Sequence, residues 1–376
     1  ATTERTPARF IVKCQDGAMS RLAPVNEPVA VMGDQVATDL MEVTDDLARL
    51  SQGGRWAVAI PYTGPPVLAR FSSWAPAGDV GLAGAWSGVS AWESSMNKVQ
   101  YCAAIEAVRG HIERGTVYQT NICRILTASI NDPGRSDIAG LFALLQFAHS
   151  APYAGMLRLP RESIHIACAS PELFLSRDGN QLDSGPIKGT AATSAALLDK
   201  DYAENVMIVD LVRNDFAHVC LPGSVSVPEL TAVRSHPGLV HLESRVRGVL
   251  HPDHDWAEVF AATFPPGSIT GAPRFTAEQI IDRYETVPRQ FYCGAFGWID
   301  ADTQQARLAV SIRTFWRQGE RLCFGTGAGI TWSSDAATEW DETVLKAGRL
   351  TAVAQMHWPD PQQSRLPVIA TQGATP

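Results

Sequence analysis

The chain has 376 residues, 45% of them hydrophobic, which is enough for one large domain or two smaller ones with a real core. A formal net charge of -8 and a pI near 5.6, with no run of lysine and arginine, exclude the basic stripe of a nucleic-acid-binding protein. Seven cysteines, odd in number and never spaced Cys-x-x-Cys, argue against a disulfide framework or a zinc site and for the reduced thiols of a cytoplasmic protein. No apolar run reaches the roughly 18 residues of a membrane span, and the opening "ATTERTPARF" lacks the apolar centre of a signal peptide.

Residues 1–90 mix short apolar runs ("FIVKC", "RWAVAIPY", "PVLARF") with Gly and Pro punctuation, and are expected to form a strand-rich amino-terminal subdomain. In "NKVQYCAAIEAVRGHIERG", Val99, Ala103, Ile105, Ala107, Val108 and Ile112 suggest a helical stripe, with Gly115 as its stop. A strand, "VYQTNICRILTASI", and a helix, "IAGLFALLQFAHS", follow. Residues 154–190 return to strands, and Asp178, Gly179 and Asn180 mark a hairpin. Helices are expected at about 195–215 and 255–285. Three more strands, "CGAFGWIDA", "ARLAVSIRTFW" and "RLCFGTGAGI", then precede a helix over about 335–356. Strands in blocks with helices between them predict an α+β fold on antiparallel sheets, with 91–358 as its main region and 359–376 as a polar, Pro-rich tail.

Several positions are suited to chemistry. On the last helix, Glu339, Glu342 and Lys346 fall within roughly a 60° sector at 100° per residue, either as a solvated ion-pair face or as a functional stripe. Asp201 and Glu204 lie one turn apart in "DKDYAENVMIVDLVRND". If the two helices face each other, Glu204 and Glu342 suit magnesium, which takes one or two carboxylates, waters and substrate oxygens. The glycines of "FGTGAGI", Gly325, Gly327 and Gly329, are expected to form a loop that either bends the chain or offers backbone N–H groups to an anion. Tyr292 and Arg313 offer donors for a carboxylate. Lys188, in the turn "SGPIKGTAAT", is either a solvated charge or an active amine. Glu172 stands across a hairpin from it, as a salt-bridge partner or as an acid–base partner.

Together these segments resemble the chorismate-utilising enzyme family over roughly residues 96–355. The blocks that carry the resemblance are "VYQTNI", "SPELFL", "PIKGT", "DYAENVMIVDLVRND", "VHLESRVRG", "FPPGSITGAPR", "FYCGAFGWID", "AVSIRTF" and "GAGITWSSDAATEWDETVLKA". The resemblance implies two antiparallel sheets packed as a sandwich with helices outside, and a cleft that binds chorismate with Mg2+. Carried over, Glu204 and Glu342 resemble the metal ligands, with Asp201 and Glu339 supporting them. Tyr292, Arg313, Lys346, Gly327 and Gly329 resemble the groups that hold substrate carboxylates. Thr190 and His241 line the same cleft, and Glu172 resembles the general acid/base.

Within the family, isochorismate- and salicylate-forming members carry a water-activating lysine where this chain has Gln119, and anthranilate-forming members usually carry alanine in place of Lys188. The resemblance therefore implies amination at C4 of chorismate through a covalent adduct on Lys188, a step toward p-aminobenzoate. Ammonia would come from a separate glutamine amidotransferase subunit. Two blocks depart from the pattern: "RNDFAHVC" replaces the usual Arg-Asn-Asp-Leu-Gly-Arg, and Pro266 and Arg274 stand where Gly and Lys are commoner. A non-catalytic chorismate-binding protein and a pyridoxal phosphate enzyme with Lys188 as Schiff base are the readings of a different class.

Overall fold

The computed structural model describes residues 21–23, 26–77, 80–82, 84–148, 151–191, 193–236 and 239–359. The expected tail, beyond 359, lies outside them. Among the described residues there are six helices: α1 (Lys98–Glu113), α2 (Ile138–Ala148), α3 (Asp199–Ala217), α4 (Trp256–Thr263), α5 (Arg274–Tyr284) and α6 (Ala336–Ala354).

Almost all strand pairing is antiparallel and follows two runs. In the first, Gln35–Thr44 pairs with Val29–Met32, followed by Tyr153–Leu159, Ile164–Ser170, Thr314–Gln318, Arg321–Ile330 and Gln119–Ser129. In the second, Val67–Pro76 pairs with Arg55–Ile60, followed by Gly294–Asp300, Gln305–Ser311, Leu173–Asp178, Gln181–Gly185 and Leu239–Val249. Pairing between Gln35–Thr44 and Val67–Pro76 joins them. One buried cluster draws Leu157, Ile166 and Cys168 from the first run and Leu175, Phe296 and Leu308 from the second, so two layers share a core. This is the α+β architecture expected. α2 and α6 cover the other face of the first run through a second cluster containing Leu141, Leu145, Phe315, Phe324 and Leu350.

Local chemistry explains the helix ends. Asn97 accepts from Gln100 N at 3.0 Å while Gln100 returns a bond to Asn97 N at 2.9 Å, a capping box that starts α1. The buried stripe of α1 is Tyr101, Ala104, Ile105 and Val108, whereas Val99 is 79% exposed. Val99 and Ala103 lie about 160° around the helix from Tyr101, so the sequence-based stripe was drawn partly on the wrong face. Gly115, at φ +71, follows the helix as its stop.

Three expectations need correction. The helical stretch expected over 255–285 is broken into α4, a 3-10 turn at Gly267–Ile269, a two-residue strand at Gly271–Ala272, and α5. Pro265, Pro266 and Pro273 cannot donate a helical hydrogen bond, and they divide it there. Strands Ser226–His236 and Leu239–Val249 were not anticipated. In Leu239–Val249 the buried positions Val240, Leu242 and Val246 alternate as a strand should, interrupted by Ser244 and Gly248. Of the two expectations for "FGTGAGI", strand and loop, the strand holds: it is the end of strand Arg321–Ile330, the bounds of the expected "RLCFGTGAGI", paired along its length with Gln119–Ser129.

Candidate functional site

A cleft of about 470 Å³ opens where the ends of Gln119–Ser129 and Arg321–Ile330 meet strand Ile187–Ala191, α3 and α6. It is large enough for a small polar metabolite. Lys188, Glu172, His241, Tyr292, Arg313 and Lys346 all line it. So do Gly327, Gly329, Glu204, Glu342, Glu339 and Asp201. Thr190 is placed by register alone, opposite His241.

Lys188 and Glu172 meet through one residue, Ser268. The Lys188 amine donates to the Ser268 carbonyl at 3.0 Å, and the Ser268 side chain hydrogen-bonds the Glu172 carboxyl. Burial lowers the pKa of the Lys188 amine, opposed by the charges of Glu204 and Glu172. Burial raises that of Glu172, opposed by Ser268, Lys188 and the Ile187 amide. A partly buried side chain thus carries an amine shifted toward its free-base form beside a carboxyl shifted toward its acid form. Nucleophilic and acid–base work require these two states.

The glycine strand presents its backbone to the cleft because of its register. Asn121 and Cys123 send their N–H groups to Thr270 O and Glu285 Oε1, away from the partner strand. Gly329↔Asn121 and Gly327↔Cys123 are therefore the non-hydrogen-bonded pairs, and the glycine amides turn to the opposite side. There the neighbouring strand Thr314–Gln318 pairs only as far as Phe324, so the ladder does not consume them. The absence of side chains is required at each position: a Cβ on Gly325 would stand 2.0 Å from the Tyr292 ring, and one on Gly327 2.5 Å from Cys123 Sγ.

The acidic groups arrive from two helices, as the helical spacing implied. On α6, Glu342 pairs with Lys346 at 2.6 Å, and the Lys346 amine also donates to Gly327 O at 3.2 Å. Although burial opposes it, Lys346 holds the Glu342 carboxyl below its ordinary pKa. Burial raises the pKa of Glu204, opposed by the charges of Lys188 and Lys200 and aided by those of Asp201 and Glu342. Burial likewise raises that of Glu339, which Ser334 hydrogen-bonds. Asp201 accepts from Leu198 N at 2.8 Å, an engagement at the start of α3 that suits a supporting place.

Among the described residues, no group of three or more His, Cys, Asp or Glu is assembled as a metal cage. Two carboxylates on facing walls of a cleft nevertheless fit magnesium, which completes its shell with water and substrate oxygens. Burial, with a smaller push from the charges of Asp201 and Glu342, raises the Glu204 pKa, and a cation there would offset both.

Sequence reasoning missed Ser268, Asn121 and Lys200. Ser268 and Asn121 stand within quoted blocks but carry no distinctive chemistry of their own. Lys200 lines the cleft and acts by charge on Glu204, Glu339 and Glu342. Of the departures noted in the sequence, Arg274 pairs with the buried carboxylate of Asp215, whose pKa burial raises to about 6. Arg274 thus ties α5 to α3.

Residues 82–352 match the chorismate binding enzyme family. The chain belongs to that family. It is 34% identical over 291 residues to aminodeoxychorismate synthase component 1 of Klebsiella aerogenes, covering 74% of this chain and 63% of that one. It is also 34% identical over 293 residues to anthranilate synthase component 1 of Saccharolobus solfataricus, covering 74% and 67%. The fold matches the menaquinone-specific isochorismate synthase of Escherichia coli with a TM-score of 0.74 at 18% identity, over 88% of this chain and 89% of the other. No helix among the described residues is long and apolar enough to cross a membrane.

Proposed function

We propose that this chain is the chorismate-aminating component of an aminodeoxychorismate synthase, converting chorismate and ammonia to 4-amino-4-deoxychorismate. The observation that carries the reading is the Lys188 amine in the cleft, depressed in pKa and joined through Ser268 to the protonatable Glu172, with the neutral Gln119 buried behind Gly329. Similarity to the Klebsiella aerogenes protein supports it.

In this reading Lys188 attacks C2 as a free amine while both ring double bonds shift and the C4 hydroxyl departs, protonated by Glu172. Tyr292, Arg313, Lys346 and the amides of Gly327 and Gly329 hold the substrate carboxylates. Ammonia then attacks C4, the double bonds shift back, and the Lys188 amine is released. Glu204 and Glu342 would hold magnesium, with Glu339 and Asp201 behind them. The ion would supply charge neutralisation at a substrate carboxylate. Ammonia reaches the site from a glutamine amidotransferase partner.

The test is product identification with chorismate, magnesium and ammonium, together with mass analysis of the protein without ammonia. The reading requires 4-amino-4-deoxychorismate and an adduct on Lys188. The similarity to an anthranilate synthase component 1 favours anthranilate as the competing product. Anthranilate or isochorismate as the main product, or full activity in Lys188→Ala, would sink the proposal.

A further inference from the structure

Helix α3 lies against strands Ile187–Ala191 and Leu239–Val249. Its buried face is apolar at Ile208, Val209, Val212 and Phe216, and polar at Asn205 and Asp215. Arg274 accounts for Asp215 by pairing with it. Asn205 is 0% exposed, has no charge and stands next to Glu204 without lining the cleft itself. An amide placed inside an apolar contact is costly unless its hydrogen bonds are made.

Those bonds go to the backbone around Lys188. Asn205 Nδ2 donates to Leu242 O at 3.1 Å, and Ser244 Oγ donates to Asn205 Oδ1. Ser244 is itself held on two sides: its Oγ accepts from Thr231 N at 2.8 Å, and its N–H donates to Pro186 O at 3.1 Å. Leu242 is the residue paired with Lys188 across the ladder, and Pro186 lies two residues before the lysine. One turn earlier the helix rests on the same strand. A Cβ on Gly189, at φ +79, would stand 2.8 Å from Asp201 Cβ and 3.1 Å from Leu242 Cδ1, so the bare glycine permits the close approach.

Asp201 and Asn205 lie about 40° apart on the side of α3 that meets the strands, and Glu204 lies about 100° around from Asn205, at the rim of that side and in the cleft. Rotation of the helix about its axis would carry Glu204 out of the cleft. Apolar burial is non-directional and sets that rotation loosely, whereas two hydrogen bonds from one amide have a single geometry. A lone buried amide specifies register in the same way where packing alone does not. We propose that Asn205, clamped by Ser244, is a positioning residue that fixes the rotation of α3 so that the Glu204 carboxylate faces Lys188 and Glu342. This rests on the reading above through the place it gives Glu204 as a magnesium ligand.

Magnesium binding read by calorimetry, set beside urea unfolding, separates positioning from packing. Asn205→Leu keeps a side chain of similar size and removes both hydrogen bonds. Ser244→Ala removes one of them and is the milder variant should Asn205→Leu fail to fold. With the protein fully folded, Asn205→Leu is expected to bind magnesium about tenfold more weakly than the parent and Ser244→Ala about threefold more weakly. Val212→Ala, on the same buried face, is expected to lower the urea midpoint and leave magnesium affinity unchanged. Parental magnesium affinity in Ser244→Ala and in folded Asn205→Leu overturns the proposal. So does an equal loss of affinity in Val212→Ala, or a parent that binds no magnesium. The amination reading is judged separately, by the product and the Lys188 adduct, and its failure leaves the magnesium measurements as they stand.

Discussion

Lys346 Nζ stands 2.6 Å from Glu342 Oε1, one turn away on α6. The amine suited to a substrate carboxylate is thus engaged by the carboxylate suited to a metal, and occupation of the cleft must part them. Both side chains are close to half exposed, so the pair is weak, on the order of 0–1 kcal/mol. Lys346→Met is expected to bind magnesium about two- to fivefold more tightly in the absence of chorismate, as read by calorimetry, and to bind chorismate more weakly. Weaker magnesium binding in the variant would count against Glu342 as a ligand.

Burial makes the Lys188 amine a weaker base than an ordinary lysine. Its free-base fraction therefore rises with pH around a midpoint below 10.5 and is larger at pH 8 than that of a surface lysine. Competitive acetylation across pH, with peptide mapping, should give Lys188 such a midpoint. The same shift means that below the unfolded pKa the folded chain carries an amine it would rather deprotonate. Lys188→Met should accordingly raise the melting temperature at pH 7 by about 1–2 °C. A Lys188 midpoint at or above the surface lysines would contradict both expectations.

Glu172 is buried, and its pKa is raised, so its acid form persists to higher pH than that of an exposed glutamate. Glu172→Gln keeps the shape and the Ser268 contact but cannot give up a proton. Turnover of chorismate is expected to fall by about a hundredfold or more, with chorismate affinity changed only a fewfold. A variant retaining near-parental kcat would assign the proton transfer to another group.

Arg289 is 1% exposed and ties strand Gln119–Ser129 to the 3-10 turn at Gly267–Ile269. It donates to Ile269 O at 2.9 Å and Asn121 O at 3.2 Å and pairs with Glu285 at 2.6 Å, while Glu285 accepts from Cys123 N. Arg289→Leu leaves a buried carboxylate without its cation, and urea unfolding should show a loss of about 3–5 kcal/mol. A loss under about 1 kcal/mol would mean that the loop at 267–270 is held otherwise.

The helices were legible where periodicity and stop signals agreed. α2 and α6 are where the sequence implies, and α1 is right in extent but wrong in part of its buried face. Strand Leu239–Val249 carries an alternation at Val240, Leu242 and Val246 that Ser244 and Gly248 interrupt, and Ser226–His236 has no fully buried position over 226–234 to mark a core face. The glycine strand admits both a strand and a loop reading in the sequence, since "RLCFGTGAGI" has the length of a strand while glycine is the residue of turns. Here glycine is needed instead by the Tyr292 ring, Cys123 Sγ and the Gln119 amide, all contributed by other parts of the chain.

What the residues alone determined is the set of reactive groups and their local spacing. The one-turn separations within Asp201/Glu204 and Glu339/Glu342/Lys346 follow from the 3.6-residue helix, and the hairpin at Asp178–Gly179–Asn180 follows from its turn residues. The convergence of α3 and α6 on one cleft was decided only by tertiary structure. So was the meeting of Lys188 with Glu172 at Ser268, 80 residues along the chain from the lysine, and the burial of the Gln119 amide behind Gly329. Each depends on strand register and sheet packing, which pair residues far apart in sequence and leave no periodic trace along it.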